Sequence, residues 1–136
     1  MVTALFDTNI LIDHFDGIEA ATDELIAYDQ AYISTITWME VACGMTPQEI
    51  VSFNQLLVAA GIGVIQTSEA IMVEAAAIRR VTRRKLPDCI IRATAVVHAN
   101  IIVTRNPSDF GGTSPMVRVP YDIVAGVAVN IKSPMS

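Results

Sequence analysis

Four carboxylates stand at the borders of apolar segments, where acidic side chains are uncommon without a partner. Asp7 follows the apolar run 2–6, and Asp109 lies in the polar loop after another apolar run. Glu40 lies inside an apolar helical stretch, and Asp88 opens one. Acids that meet in one crevice repel each other unless a cation is present, and oxygen ligands favour Mg²⁺ or Mn²⁺. Such a cation activates water, and the natural substrate is a phosphodiester.

Each of these acids also has a purely structural explanation. Asp7 can cap the helix that follows it, and Glu40 can face solvent. Asp88 suits the positive end of a helix dipole, and Asp109 suits a turn. The chemical hypothesis therefore rests on the set of four rather than on any one member.

Short apolar runs alternate with helical segments along the chain. Strands are predicted at residues 2–6, 31–33, 62–65, 101–104 and 117–119. Such strands, apolar on both faces and separated by helices, indicate a parallel sheet between two helical layers. With 136 residues the chain is expected to be one α/β, three-layer domain. Ligand sites in such sheets gather at the carboxyl ends of the strands, where Asp7 lies.

Charge is unevenly distributed. All nine Lys and Arg side chains follow residue 78, whereas eleven of the fourteen acids precede it. Five basic residues form one cluster: Arg79, Arg80, Arg83, Arg84 and Lys85. The cluster either complements a helix dipole or contacts an RNA backbone. Arg92, one turn after Asp88, either pairs with it or holds a phosphate.

Composition excludes several classes of protein. A hydrophobic content of 52% with 17% charged residues excludes disorder, and no apolar stretch is long enough to cross a membrane. Cys43 and Cys89 show no motif spacing, so we expect two buried free thiols and a cytoplasmic location. A Gly-rich nucleotide fingerprint is missing, and His14 and His98 are isolated. The high hydropathy favours a subunit interface.

In this set of motifs the sequence resembles the PIN-domain ribonucleases of the VapC toxin type. The matching stretches, in family order, are Phe6–Leu11, Ile36–Val41 with Gly44, Leu86–Asp88, Thr104–Asn106 with Asp109–Phe110, and Val117–Tyr121. The resemblance implies a PIN-like domain over residues 1–121 with a five-stranded parallel sheet of order 3-2-1-4-5. Residues 122–136 are then expected to form a tail that packs on the domain or on a partner.

The resemblance also implies an activity. It implies Mg²⁺-dependent cleavage of RNA, with Mn²⁺ able to substitute, neutralisation by a cognate antitoxin, and a homodimer. It assigns the catalytic and metal-binding acids to Asp7, Glu40, Asp88 and Asp109. It assigns supporting hydrogen bonds to Thr8, Asn9, Thr104 and Asn106. Two alternatives remain open: a catalytically inactive PIN-fold module that binds RNA or protein, and a phosphomonoesterase or phosphotransfer domain.

Overall fold

A parallel sheet of five strands forms the centre of the molecule. The computed structural model describes residues 2–110 and 115–135, except for the side chain of Asp109. The strands are β1 (Thr3–Phe6), β2 (Gln30–Ser34), β3 (Ile62–Ile65), β4 (Ile101–Val103) and β5 (Met116–Arg118). Their order is β3-β2-β1-β4-β5, and all neighbours are parallel. The predicted α/β class and the strand order 3-2-1-4-5 are confirmed.

Helices connect the strands in the described ranges. They are α1 (Thr8–Phe15), α2 (Glu19–Leu25), α3 (Thr35–Ala42), α4 (Pro47–Ala59), α5 (Glu69–Thr82) and α6 (Leu86–His98). Their starts follow from local chemistry. Ser34 and Ser68 cap α3 and α5 through their hydroxyl oxygens, and Thr46 forms a capping box with Glu49 at α4. No helix in this part of the chain has the length and apolar character needed to span a bilayer.

The central strand β1 is covered on both sides. Phe6 belongs to an apolar cluster on one face of the sheet, together with Leu11 and Phe53. Leu5 points the other way and packs with Ile91 and its neighbours. Because both faces are shielded, Leu5 and Phe6 have no exposed surface. The residue that leaves the carboxyl end of β1 is therefore held in a dry, well-packed position.

The C-terminal segment forms an antiparallel hairpin that the sequence patterns did not predict. Its strands are β6 (Asp122–Val124) and β7 (Val127–Val129). Ala125 and Gly126 connect them with φ values of 52° and 77°. Two consecutive positive φ angles suit the twist of a tight hairpin, yet Ala-Gly is a weak signal for such a turn. Beyond the hairpin, Met135 packs against the same apolar cluster as Phe6.

One of the two cysteines differs from the prediction. Cys89 is buried, as expected, but Cys43 is exposed, and both thiols are free. Cys43 lies at the C-terminal cap of α3, where the chain leaves the apolar layer. The apolar neighbours that suggested burial belong to the preceding turns of the helix, so the prediction of a buried thiol at Cys43 was wrong.

A buried ion pair attaches the C-terminal segment to the domain. Glu24 on α2 and Arg118 on β5 are 2% and 7% exposed, and the Arg118 guanidinium donates to both carboxylate oxygens of Glu24. Its Nη2 also donates to the carbonyl oxygens of Lys132 and Ser133, at 3.2 and 2.8 Å. Tyr28 donates to Glu24 at 2.7 Å. The pair thus joins α2, the edge strand and the chain beyond the hairpin.

Replacing Arg118 by Met should lower the free energy of unfolding by about 3–5 kcal/mol, because it leaves the Glu24 carboxylate buried without its cation. Urea unfolding monitored by circular dichroism measures the change. The control is Arg80→Met, at an exposed arginine of α5, which should change stability by less than about 0.5 kcal/mol. Equal effects of the two substitutions would contradict the structural role of the pair.

Candidate metal and active site

Asp7 lies at the carboxyl end of the central strand and caps the first helix. It is 6% exposed. Its backbone N–H donates to the carbonyl oxygen of Val103 at 2.9 Å, which fixes it against β4. Its Oδ1 accepts from the backbone N–H of Thr8 at 2.8 Å. The position of Asp7 is therefore compatible both with capping the helix and with binding a metal. One carboxylate oxygen caps α1, and the other turns towards the sheet edge.

The second oxygen of Asp7 is held by two polar side chains. Thr104, with no exposed surface, donates from Oγ1 to Asp7 Oδ2 at 2.8 Å. Asn9 donates from Nδ2 to the same oxygen at 3.2 Å. The backbone N–H of Asn106 donates in turn to Thr104 Oγ1 at 3.0 Å. Three of the four expected supporting residues, Thr8, Asn9 and Thr104, thus donate to one carboxylate, and the fourth, Asn106, donates to Thr104.

Glu40 reaches the same region from α3. The hydroxyl of Thr8 donates to Glu40 Oε1 at 2.8 Å, and the Thr8 oxygen lies 3.2 Å from Thr37 Oγ1. Glu40 is half-buried. It therefore faces α1 and does not lie on a fully solvated helix face, as its structural explanation would have required.

Asp88 lies in the first turn of α6 and is half-buried. Its charge and that of Glu40 both act on Asp7. Burial is the main cause that raises the pKa of Asp7, and the two neighbouring carboxylates add to it, while the hydrogen bonds from Thr104 and Thr8 oppose it. The resulting pKa is about 6, against an ordinary value of 3.8. Glu40 and Asp88 are thus both within electrostatic reach of Asp7.

The fourth acid, Asp109, belongs to the 3₁₀ helix Pro107–Phe110 that follows β4. Its side chain lies outside the described residues. Among the residues described, no three His, Cys, Asp or Glu side chains stand together closely enough to hold a metal ion. The donor set is nevertheless all oxygen, and Mg²⁺ keeps several waters and takes only one or two protein carboxylates. The residues present therefore fit a Mg²⁺ ion better than a metal that needs nitrogen or sulfur ligands.

One member of the basic cluster has a structural role. Arg79 donates from Nη1 to the carbonyl oxygens of Arg83 and Arg84, at 2.7 and 2.5 Å. It thereby closes the end of α5, where Arg83 has a left-handed φ of 59°. Arg80 and Lys85 are exposed. Arg79 thus serves the helix end, and the remaining cations extend towards the start of α6.

Arg92 lies on α6, one turn after Asp88, and is half-buried. In the described part of the chain its Nε is buried without a hydrogen-bond partner. A groove of about 230 Å³ beside it is lined by residues of α5, among them Glu74 and Thr82. Arg92 therefore lies where α5 and α6 pack against each other.

A second ion pair next to the site, between a buried acid and a half-buried arginine, was not identified from the sequence. Asp13 on α1 is 5% exposed. Arg105 donates from Nη2 to Asp13 Oδ1 at 3.0 Å and from Nε to Oδ2, and Tyr121 donates from its hydroxyl to Oδ2 at 2.8 Å. Arg105 and Tyr121 both lie within the motifs that suggested the family. The available signal was Asp13 itself, an acid in the helix that the motif opens.

The free energy of unfolding should depend on pH because of the raised pKa of Asp7. Since its pKa is about 6 when folded and its ordinary value is 3.8, the folded protein binds this proton more tightly than the unfolded chain. The contribution of Asp7 to the free energy of unfolding therefore falls as the pH rises from about 4 to about 6, by up to about 3 kcal/mol.

Urea unfolding of the metal-free wild type and of Asp7→Asn across this pH range measures the effect. The stability of the variant relative to the wild type should increase with pH and level off above about pH 7. A difference that does not change with pH would contradict the raised pKa.

Comparisons with known proteins agree with the fold and the motifs. The model of the PIN domain matches residues 4–110. A chain of a toxin–antitoxin complex from Klebsiella pneumoniae is 41% identical, with a TM-score of 0.75 over 89% of this chain and 100% of that one. No curated protein matches the chain.

Two further solved structures share the fold alone. DNA-bound VapBC from Salmonella typhimurium is 18% identical, with a TM-score of 0.70 over 87% of this chain and 98% of that one. FitAcB from Neisseria gonorrhoeae is 22% identical, with a TM-score of 0.67 over 85% of this chain and 96% of that one. From the family model and the 41% identical relative together, the chain belongs to the PIN-domain family.

Proposed function

We propose that this protein is a Mg²⁺-dependent endoribonuclease and the toxin of a toxin–antitoxin pair. The observation that carries the proposal is the buried Asp7 carboxylate at the carboxyl end of β1, acted on by the charges of Glu40 and Asp88. A buried carboxylate that two other carboxylates act on is costly by itself and favourable beside a cation. The 41% identity to a chain of a toxin–antitoxin complex supports the biological role.

The acids and their hydrogen-bond donors would divide the work. Asp7, Glu40 and Asp88, with Asp109, would hold the Mg²⁺ ion, and Mn²⁺ would substitute for it. Thr104 and Asn9 fix the Oδ2 of Asp7, and Thr8 fixes Oε1 of Glu40. The chemistry that a bound Mg²⁺ supplies is activation of water and neutralisation of phosphate charge. The polar side chains keep the carboxylates in the orientation that this requires.

RNA would approach along the basic end of α5. The exposed side chains of Arg80, Arg83, Arg84 and Lys85 precede Asp88 in the chain, and Arg92 follows it on the same helix. Cationic side chains of this kind bind phosphates without reading the bases, so they supply affinity and position rather than sequence preference. They also offset the repulsion that a net charge of −5 exerts on RNA.

The proposed partners are a cognate antitoxin and a second copy of the chain. The antitoxin follows from the similarity to the Klebsiella complex. A homodimer is supported by α5, which exposes Met72 and Val73 on its outer face. Two copies packed along α5 would cover this apolar strip.

A second candidate is a PIN-fold module that binds RNA or protein without cleaving it. One observation favours it: the described acids do not form a group of three at metal-binding distance. This alternative predicts RNA binding that is independent of Mg²⁺ and no change in RNA length.

Asp7→Asn should lower RNA cleavage by at least about 100-fold, because loss of a ligand costs more than loss of an outer hydrogen bond. EDTA should abolish cleavage by the wild type, and added Mg²⁺ or Mn²⁺ should restore it. The assay is single-turnover cleavage of end-labelled RNA by purified protein. The matched control is Asp23→Asn, at an exposed acid of α2, which should retain full activity. Equal cleavage by the Asp7 variant and the wild type would refute the proposal.

Arg80→Glu combined with Lys85→Glu should weaken RNA binding, because it removes two cations that can pair with phosphates. The slope of log K against log salt concentration should fall by about 1 for each phosphate that the variant no longer binds. Fluorescence anisotropy with labelled single-stranded RNA measures both quantities. The control is Lys132→Glu, at an exposed position in the tail, which should leave the slope unchanged. An identical slope in the double variant and the wild type would remove the basic end of α5 from the RNA surface.

A further inference from the structure

We propose that Asp13 and Arg105 are positioning residues for the Asp7 carboxylate, acting through the side-chain amide of Asn9. The inference rests on the proposed function only for the effect on catalysis. The hydrogen bonds that carry it do not depend on that activity. Neither residue touches Asp7. Their effect on it passes through one backbone N–H and one amide group.

The first step is the clamp on the Arg105 side chain. Both oxygens of Asp13 accept from the guanidinium of Arg105, and Tyr121 donates to Oδ2 of the same carboxylate at 2.8 Å. Asp13 is 5% exposed and Tyr121 is 1% exposed. A bidentate pair in such a position fixes the direction of the arginine as well as its place. The clamp therefore holds the chain directly after β4 against α1.

The second step leads from the clamped residue to Asn9. The backbone N–H of Arg105 donates to Asn9 Oδ1 at 3.2 Å. Because the oxygen of the amide is taken by this donor, its Nδ2 must face the other way. There it donates to Asp7 Oδ2 at 3.2 Å and lies 3.3 Å from Thr104 Oγ1. If the Arg105 N–H moved away, the amide would lose the bond that fixes its oxygen, and the direction in which Nδ2 donates to Asp7 would be less well defined.

The two ion pairs of the molecule's core and site edge differ in what they hold in place. Glu24 and Arg118 form a pair of the same kind between α2 and β5, but the Arg118 side chain continues to the carbonyl oxygens of Lys132 and Ser133. That pair holds the tail, whereas the pair of Asp13 and Arg105 holds the residue next to Thr104. A substitution in the first pair should therefore lower stability alone. A substitution in the second pair should also change the geometry around Asp7.

The test compares Asp13→Asn with the matched control Glu24→Gln, using metal-free protein and then Mn²⁺ alone. Nuclear magnetic resonance follows hydrogen exchange of the Arg105 amide and the side-chain amide signals of Asn9. Calorimetry measures the Kd for Mn²⁺, and thermal unfolding measures stability. In Asp13→Asn, the Arg105 amide should exchange faster, the Asn9 signals should shift, and the Kd should rise about 10-fold or more. In Glu24→Gln, only the melting temperature should fall.

Arg105→Lys gives a second reading if Asp13→Asn does not fold, because lysine keeps the charge but lacks the two-pronged geometry. It should change the same three quantities in the same direction. Unchanged Asn9 signals and unchanged Mn²⁺ affinity, with only a lower melting temperature, would overturn the inference and leave Asp13 a purely stabilising residue. A wild type that neither binds Mn²⁺ nor cleaves RNA would refute the proposed function, and the Arg105 and Asn9 signals would then decide the inference alone.

Discussion

The structure centres on one carboxylate that is held where its surroundings oppose its charge. Asp7 ends the fully covered strand β1, and both its burial and the nearby charges of Glu40 and Asp88 raise its pKa. A packed hydrophobic strand is what makes the position rigid, and the same packing removes the water that would stabilise an ion. Hydrogen bonds from Thr104 and Thr8 oppose this cost without cancelling it. The remaining imbalance is what a divalent cation would correct.

The elements around Asp7 can be understood as supports for this one group. The parallel register puts the end of β1 beside the end of β4, so the chain after β4 supplies Thr104. The helix that Asp7 caps returns Asn9 to its second oxygen. A partly buried ion pair, Asp13 with Arg105, then attaches the chain after β4 to α1. Rigid elements and fully bonded polar side chains together give the precision that a loop alone would lack.

Much of this arrangement could be predicted from the sequence. Short apolar runs and helix signals predicted the parallel sheet, and the family resemblance predicted its strand order. The position of Asp7 after the first run indicated the edge of the sheet where ligands bind. The family motifs also indicated Thr104 and Asn9, whose side chains donate to Asp7 in the structure.

The remaining features have only weak local signals in the sequence. Periodicity could not identify the partner of Asp13, because Asp13 and Arg105 are far apart in the chain and only the β1–β4 register brings them together. The hairpin was missed because Ala125 and Gly126 form a turn that few sequence signals mark. Cys43 was misjudged because apolar neighbours in a helix do not fix which face a residue takes.

The proposed activity depends above all on a divalent cation bound at Asp7. A crystal soaked in Mn²⁺, with anomalous diffraction collected near the manganese edge, tests it most directly. The predicted result is an anomalous peak for a Mn²⁺ ion within bonding distance of an Asp7 carboxylate oxygen. The same ion should contact Glu40 or Asp88, directly or through water. Saturating Mn²⁺ without a peak at Asp7, while the crystal still diffracts and the fold is intact, would contradict it.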